Sequence, residues 1–382
     1  MSILIGADIV PTKSNIEQFN KGDAAFLVGS ELLKILNDAD YRIFNLEVPL
    51  TDVFLPIDKC GPNLIAPTST INGYKSIGVD FVTLANNHIL DQGEQGLQST
   101  CDLLRKNNIA YCGVGDNLSR AKTPYIFELD GRKIGIYACA EHEFSIATED
   151  SAGANPFDPL ESFDHVSSLK QEVDYVIVLY HGGKEHYRYP SPNLQRVCRK
   201  FVKSGADLVV CQHSHCIGCE EKYLDGTIVY GQGNFLFDDS ESEFWQTSLL
   251  IKIDNEFKIS YIPIRKNNET VRLATPKDAC DILDFFIQKS EEIKQKGFIE
   301  ARYSEFAYSM LNGYLFRISG CGKSLFFRIL NKLTGHRYGI WKLKRRFGKQ
   351  QLLSVQNVLE CEAHRGLLNW GIIVKIKNFN NR

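Results

Sequence analysis

Six side chains able to bind a metal ion lie in the first two thirds of the chain: Asp8, Glu47, Asn87, His181, His213 and His215. Carboxylates, an amide and imidazoles suit Zn²⁺, Mn²⁺ or Fe²⁺, and no thiolate has to be invoked. His213 and His215 are two apart, and in an extended segment such residues point to the same side. Their backbone separation would then be roughly 6–7 Å, a reach that could serve two divalent ions ~3.5–4 Å apart. A single carboxylate, Glu47, could bridge such a pair. Two ions held this way acidify water and stabilise charge on an attacked phosphorus or carbonyl centre, so the chemistry indicated is hydrolysis. Taken singly, each residue has a plainer reading. Asp8 and Asn86-Asn87 could be turn formers, Glu47 a surface carboxylate, and each histidine a hydrogen-bonded structural residue. The conjunction carries the case.

These residues need a scaffold that brings them together. Residues 3–5 run into Asp8, 42–44 into Asn45-Leu46-Glu47, and 81–85 into Asn86-Asn87-His88. Residues 176–180 run into His181, and 208–211 into His213-Ser214-His215. In α/β sheets the loops at the carboxyl ends of strands converge on one edge, where sites gather. Short apolar runs alternate with amphipathic stretches up to about residue 264, the α/β pattern. Strands are expected at 2–5, 41–45, 81–85, 133–138, 175–180, 208–211 and 227–230, and helices at 24–37, 93–107 and 192–204. The runs 248–253 and 258–263 read as an antiparallel extension. From 275 the pattern turns helical, so the expected division is an α/β domain over 1–274 and a basic helical region over 275–382 packed on it.

At its chemistry-bearing residues the chain resembles the bacterial poly-γ-glutamate capsule biosynthesis proteins of the CapA type, a branch of the calcineurin-like metallophosphoesterase superfamily. The matching stretches begin with Gly6-Ala7-Asp8, Asn45-Leu46-Glu47-Val48-Pro49-Leu50 and Leu84-Ala85-Asn86-Asn87-His88-Ile89-Leu90-Asp91-Gln92-Gly93. Gly113-Val114-Gly115-Asp116-Asn117, His181-Gly182-Gly183-Lys184-Glu185-His186 and Gly205-Ala206-Asp207-Leu208-Val209-Val210 follow. His213-Ser214-His215 and Gly233-Asn234-Phe235-Leu236-Phe237-Asp238 complete the set. The resemblance covers roughly residues 1–264 and implies a four-layer α/β/β/α metallophosphoesterase-like sandwich, here with a mostly helical C-terminal extension.

The resemblance also implies roles. Asp8, Glu47 and His215 would hold one metal, and Glu47, Asn87, His181 and His213 the other. His88 resembles the acid–base histidine of the superfamily, and Glu185 a carboxylate that orients ligand or substrate. His142 and His186 read as rim residues. The chain departs from the wider superfamily in two places: Asp8 is followed by Ile9-Val10 rather than by an Asp-x-His pattern, and Asn45-Leu46-Glu47 replaces a Gly-Asp-x-x-Asp. The implied function is a metal-dependent hydrolase of capsule or exopolymer biosynthesis, acting on a phosphoester or amide of an anionic polymer precursor. The alternative is a non-catalytic accessory subunit of a membrane-associated polymer synthase or exporter.

Composition sets the outer bounds. With 43% hydrophobic and 24% charged residues and a net charge of −2, the chain of 382 residues is an ordinary globular sequence. Its start has no basic region followed by an apolar one, so a signal peptide is not expected. No run approaches the ~20 apolar residues that span a bilayer. Eleven cysteines, an odd number over a long chain, read as reduced thiols and a cytoplasmic location. Cys211, Cys216 and Cys219 lack a fourth spaced cysteine for a zinc cluster, and Gly320-Cys321-Gly322-Lys323-Ser324 has Arg317 where a phosphate loop requires glycine.

One charge asymmetry stands out. Residues 306–359 contain no Asp or Glu, while Arg317, Lys323, Arg328, Lys332, Arg337, Lys342, Lys344, Arg345, Arg346 and Lys349 supply ten positive charges. Phe316, Phe326, Phe327, Trp341 and Phe347 are interleaved among them. A basic layer balancing an acidic body is one reading, and docking of region 317–349 on an anionic membrane surface, peripheral to the inner face, or on an anionic polymer is the other. Nucleic acid is not expected, because no recognised binding motif accompanies the charge.

Overall fold

The computed structural model describes residues 1–238, 241–320, 325–335 and 337–380. Lys323, with the rest of 321–324, and the side chains of Phe326 and Arg328 lie outside the described residues.

The first sheet is built from β1 (Ile3–Val10), β2 (Tyr41–Leu46), β3 (Phe81–Thr83), β4 (Ala110–Cys112), β13 (Asn234–Phe237), β14 (Thr247–Ile253), β15 (Ile259–Asn267) and β16 (Thr270–Leu273). Their order is β16-β15-β14-β1-β2-β3-β4, with β13 also pairing β1. The second sheet holds β6 (Tyr125–Leu129), β7 (Arg132–Ala140), β9 (Tyr175–His181), β10 (Leu208–Gln212), β11 (Glu220–Tyr223) and β12 (Gly226–Val229). Its order is β11-β12-β10-β9-β7-β6. A small pair, β5 (Val114–Gly115) and β8 (Gly153–Ala154), stands apart.

Side chains alternate faces along a strand, and here the alternation sorts them into separate cores. Ile3 and Ile5 of β1 join Ile177 and Leu179 of β9 in the core between the sheets. Leu4 faces the other way, toward Leu27, Leu32 and Leu36 of the helix Ala24–Asn37 and Leu97 and Leu104 of the helix Gly93–Lys106. Val176 and Val178 of β9 face Val166 of the helix Ser162–Lys170 and Phe201 of the helix Pro192–Lys203. Helix, sheet, sheet and helix make the α/β/β/α sandwich that the resemblance implies. Strands buried on both faces read as continuous apolar runs, which is why β9 and β10 were legible.

The antiparallel extension is present as β14 and β15, paired from Thr247↔Arg265 to Ile253↔Ile259. Several strands escaped the sequence reading: β4, β5, β6, β8, β11, β13 and β16. β11, Glu-Glu-Lys-Tyr, carries no apolar run, because it is the edge of its sheet, where charged residues are tolerated and protective.

Near its middle β1 changes partners. Its register with β2 shifts between Ile5 and Asp8, and with β13 between Asp8 and Ile9. At Gly6 the chain crosses the Phe44 ring so closely that a Cβ would lie 2.0 Å from Phe44 Cε1, so only glycine fits. Such bulges re-aim the side chain that follows, and here that side chain is Asp8.

The domain boundary differs from the expectation. The helix Pro276–Glu292 buries Ile282 and Phe286, one turn apart, in the core between the sheets. Its Ser290 Oγ also accepts a hydrogen bond from Glu220 N at 2.8 Å. The first compact unit therefore runs from Met1 to Glu300, not to 274, and the second from Ala301 to Arg382. Within the second unit Phe327 packs against Phe316 and Tyr338, with ring centroids 5.0 and 5.5 Å away. Cys361, with an extended ψ of 113°, breaks the helix Lys349–Glu360 from Glu362–Asn380. Among the described residues no helix is long and apolar enough to cross a membrane.

Candidate metal centre

Strand ends from both sheets deliver the candidate ligands. Asp8 lies in β1 past its bulge, Glu47 one residue after β2, and Asn87 after β3. His181 is the last residue of β9, and His213 and His215 follow β10. Asp8 and Glu47 are fully buried, and His181, His213 and His215 are 2%, 9% and 8% exposed.

Polar atoms crowd around His181 Nε2. Asn87 Oδ1 lies 3.0 Å from it, His213 Nδ1 3.1 Å and Glu47 Oε1 3.2 Å. A second group forms around His215 Nδ1, which stands 2.9 Å from Asn234 Oδ1 and 3.5 Å from Asp8 Oδ2. Ligand atoms of Glu47, His181 and His213 lie within 4.8 Å of one another, as do those of Asp8, Glu47 and His215. Glu47 belongs to both triads. Asn87 lies beside the first.

A test of fit comes from the oxygens. Glu47 Oε1 and Oε2 and Asp8 Oδ2 are buried and accept no hydrogen bond. A buried carboxylate oxygen without a donor is costly unless a cation meets it. The donor set, carboxylates plus imidazoles, is the one divalent transition metals take, so the residues fit such ions.

The local field divides the cluster's titratable groups. Burial, then His181 and His215, pushes the His213 imidazole well below its ordinary pKa, which keeps it neutral with a lone pair to donate. Burial alone would lower His215 too, but Asp8, Glu47 and Asn234 raise it to about 9. Burial and the Glu47 charge raise Asp8. Burial would also raise Glu47, but His181, His215 and His88 outweigh it and hold that carboxyl below its usual range.

The path from His213 to His215 is not the extended segment expected from the spacing. Both residues take left-handed backbone angles, φ 83° and 53°, and their ring centroids stand 6.0 Å apart. These two left-handed residues send His213 to His181 and His215 to Asp8. For residues other than glycine this conformation costs on the order of 1–3 kcal/mol and persists where surrounding structure imposes it. Gly231 helps, since at φ 112° a Cβ there would lie 2.6 Å from Ser214 Oγ.

His88 stands at the rim of the ligand cluster. Its Nδ1 lies 2.6 Å from Asp91 Oδ2, and the fully buried Asp91 also accepts from Leu64 N at 2.6 Å and from Lys59 Nζ. Glu185 joins neither triad. It is 47% exposed, and its carboxylate is 4.0 Å from Lys184 Nζ. His142 Nε2 is 3.2 Å from Phe157 O, and His186, whose Nε2 accepts from Trp245 Nε1 at 2.9 Å, has its ring centroid 6.5 Å from that of His215.

Several site residues were not singled out from the sequence. Asn45 Nδ2 donates to Asp8 Oδ1 at 2.8 Å and lies 3.3 Å from His181 Nδ1. Asn86 Nδ2 donates to Asn45 Oδ1 at 3.1 Å, and Asn87 Nδ2 to Glu143 Oε2 at 3.1 Å. Asn45 was findable, since it sits two residues before Glu47 at the end of the same strand. Asn234 lay inside the stretch 233–238, whereas Lys59 and Glu143 carried no such local signal.

The profile of the bacterial capsule synthesis protein family PGA_cap matches residues 2–239, a span that contains all six candidate ligands. The capsule biosynthesis protein CapA of Bacillus anthracis is 29% identical over 261 residues, covering 65% of this chain and 62% of that protein. The chain thus spans under two thirds of that relative's length. The PGA biosynthesis protein CapA of Bacillus subtilis (strain 168) is 27% identical over 288 residues, covering 74% of this chain and 73% of that protein. Among solved structures, a phosphatase of Mycoplasma pneumoniae aligns at 16% identity and a TM-score of 0.43, over 70% of this chain and 94% of that one.

Proposed function

The chain belongs to the bacterial capsule synthesis protein family PGA_cap, and from that premise we propose that it is a metal-dependent hydrolase of capsule or exopolymer biosynthesis. Its substrate would be a phosphoester or amide in an anionic polymer precursor. The observation that carries the reading is the pair of buried triads sharing Glu47, whose carboxylate oxygens accept no hydrogen bond.

Asp8, Glu47 and His215 would hold one divalent ion, and Glu47, His181, His213 and Asn87 the other, with Mn, Zn or Fe suited to such donors. When bound, the ions would supply Lewis acidity and lower the pKa of water. The chain supplies the rest. Asn45 orients Asp8 and His181 together, as outer partners of metal ligands do. Asp91 engages His88 Nδ1, which leaves Nε2 as the atom to hand a proton to a leaving group. Lys59 neutralises the buried Asp91 and ties the segment it sits on to His88. Glu185, exposed beside Lys184, would meet substrate rather than metal.

The test is elemental analysis of protein purified without chelator, followed by assay against an activated phosphodiester and a γ-glutamyl amide. Bound transition metal with turnover of either substrate, the turnover lost and the metal content about halved in His213→Ala, supports the hydrolase. Bound metal without turnover of either, with polymer production intact in a His181→Ala, His213→Ala double variant, would establish the accessory role instead.

A further inference from the structure

Outside the metal centre, the most unusual surface belongs to the unit of residues 301–382, where cations and large apolar side chains share the same exposed faces. In the helix Arg337–Arg346, Gly339 and Leu343 are buried. The other side carries Arg337, Trp341 and Arg345 in a row one turn apart, with Ile340 and Lys344 beside it. Trp341 is 51% and Ile340 44% exposed, and the Arg345 guanidinium lies 4.9 Å over the Trp341 ring. The neighbouring helix Leu325–Leu333 exposes Ile329 and Leu333, again one turn apart, with Lys332 next to them. No carboxylate occurs between 306 and 359 to neutralise these charges. The helix Glu362–Asn380 adds Leu367 and Trp370, 74% and 70% exposed, among the charged residues Arg365 and Lys375. Exposed apolar surface of this kind marks an interaction site.

We propose that this unit docks on the surface of an anionic phospholipid bilayer. Charge chooses the occupant. A second copy of the chain would bring the same unneutralised cations face to face, and like charges repel. A soluble polyanion would satisfy Arg337, Lys344 and Arg345 but leave Ile340, Trp341 and Leu333 in water. A bilayer meets both needs, with phosphate headgroups for the cations and the acyl boundary for the apolar side chains. The long stems of Arg and Lys let the apolar groups sink while the charge stays at headgroup level. The inference is independent of the metal centre.

The experiment is co-sedimentation of the full chain with vesicles of phosphatidylglycerol and phosphatidylcholine, against vesicles of phosphatidylcholine alone. The expected result is pelleting with the anionic vesicles at low salt and a blue shift of tryptophan fluorescence. Both should be lost near ~1 M salt, where the screening length falls to ~3 Å. At ~1 kcal/mol per cation, Lys344→Gln with Arg345→Gln should weaken partitioning about 30-fold. Trp341→Ala should weaken it with the charge intact, while His213→Ala should bind vesicles as the parent does. Four results would overturn the proposal: no pelleting at low salt; equal pelleting with both vesicle types; binding of a soluble polyanion in place of vesicles; or a salt-resistant dimer that ignores lipid.

Discussion

Glu47 Oε1 lies 3.2 Å from His181 Nε2, yet neither oxygen of that carboxylate accepts a hydrogen bond. A carboxylate so placed, and shared by both triads, should govern every ion the centre holds. Glu47→Gln is therefore expected to empty both positions. At metal concentrations about 100 times Kd the parent gains ~2.7 kcal/mol of stability from each independent site, and the variant should lose that gain. Thermal unfolding with and without added Mn²⁺ or Zn²⁺ reads it directly. An unchanged metal-induced shift would remove Glu47 from its bridging place.

The histidines should behave differently. His213 belongs to one triad and His215 to the other. Each single alanine variant is expected to retain about half of the parent's metal content, and the double variant none. Elemental analysis on chelator-free preparations distinguishes this from a single shared site, in which either substitution would release everything.

His88 and Asp91 form a pair at 2.6 Å that is separate from the triads. On a phosphodiester or amide that the parent hydrolyses, His88→Asn should lower kcat by about 10²–10⁴-fold while metal content stays at the parental value. Asp91→Asn, acting through the histidine, should cost about 10–100-fold. If either variant loses metal in proportion to activity, the acid role of His88 is wrong.

Acid sensitivity has a traceable contributor in the second sheet's outer layer. Burial, then Lys122, lowers the pKa of His165, against the opposing pull of Glu161. The unfolded chain takes up this proton first, near the ordinary value of about 6.5. The contribution to stability is therefore full above that pH and is lost as pH falls through it toward the folded value. His165→Gln should flatten that part of the profile. Urea unfolding at about pH 7.5 and about pH 5, parent against variant, checks the sign.

Phe201 anchors the layer between the second sheet and its helices. It is fully buried, with Phe163 and Phe157 ring centroids 4.9 and 5.7 Å away. Phe201→Ala should cost about 3–5 kcal/mol, measured as a lower denaturation midpoint with an unchanged slope. A cost below about 1 kcal/mol would mean that the layer collapses to fill the space.

Much of this centre was legible before the structure. The six ligand types, their order and their places after apolar runs were readable, and so was the α/β pattern. Residue chemistry and local periodicity are written directly in a sequence. The helix Pro276–Glu292 shows where that stops. Its pattern is plainly helical, but whether Ile282 and Phe286 face the sheet core or a separate helical unit depends on partners far away in the chain.

The same division runs through the site. The sequence by itself determined that imidazoles and carboxylates would stand at strand ends, because each strand and the ligand after it are neighbours along the chain. The tertiary structure decided which of them meet. Two sheets packed face to face bring Glu47 of one to His181 of the other, and left-handed turns part His213 from His215. It also decided that Asn45 braces Asp8 and that Lys59 meets Asp91. Such pairings are set by bulges, turns and sheet stacking that act over tens to hundreds of residues, and no local spacing records them.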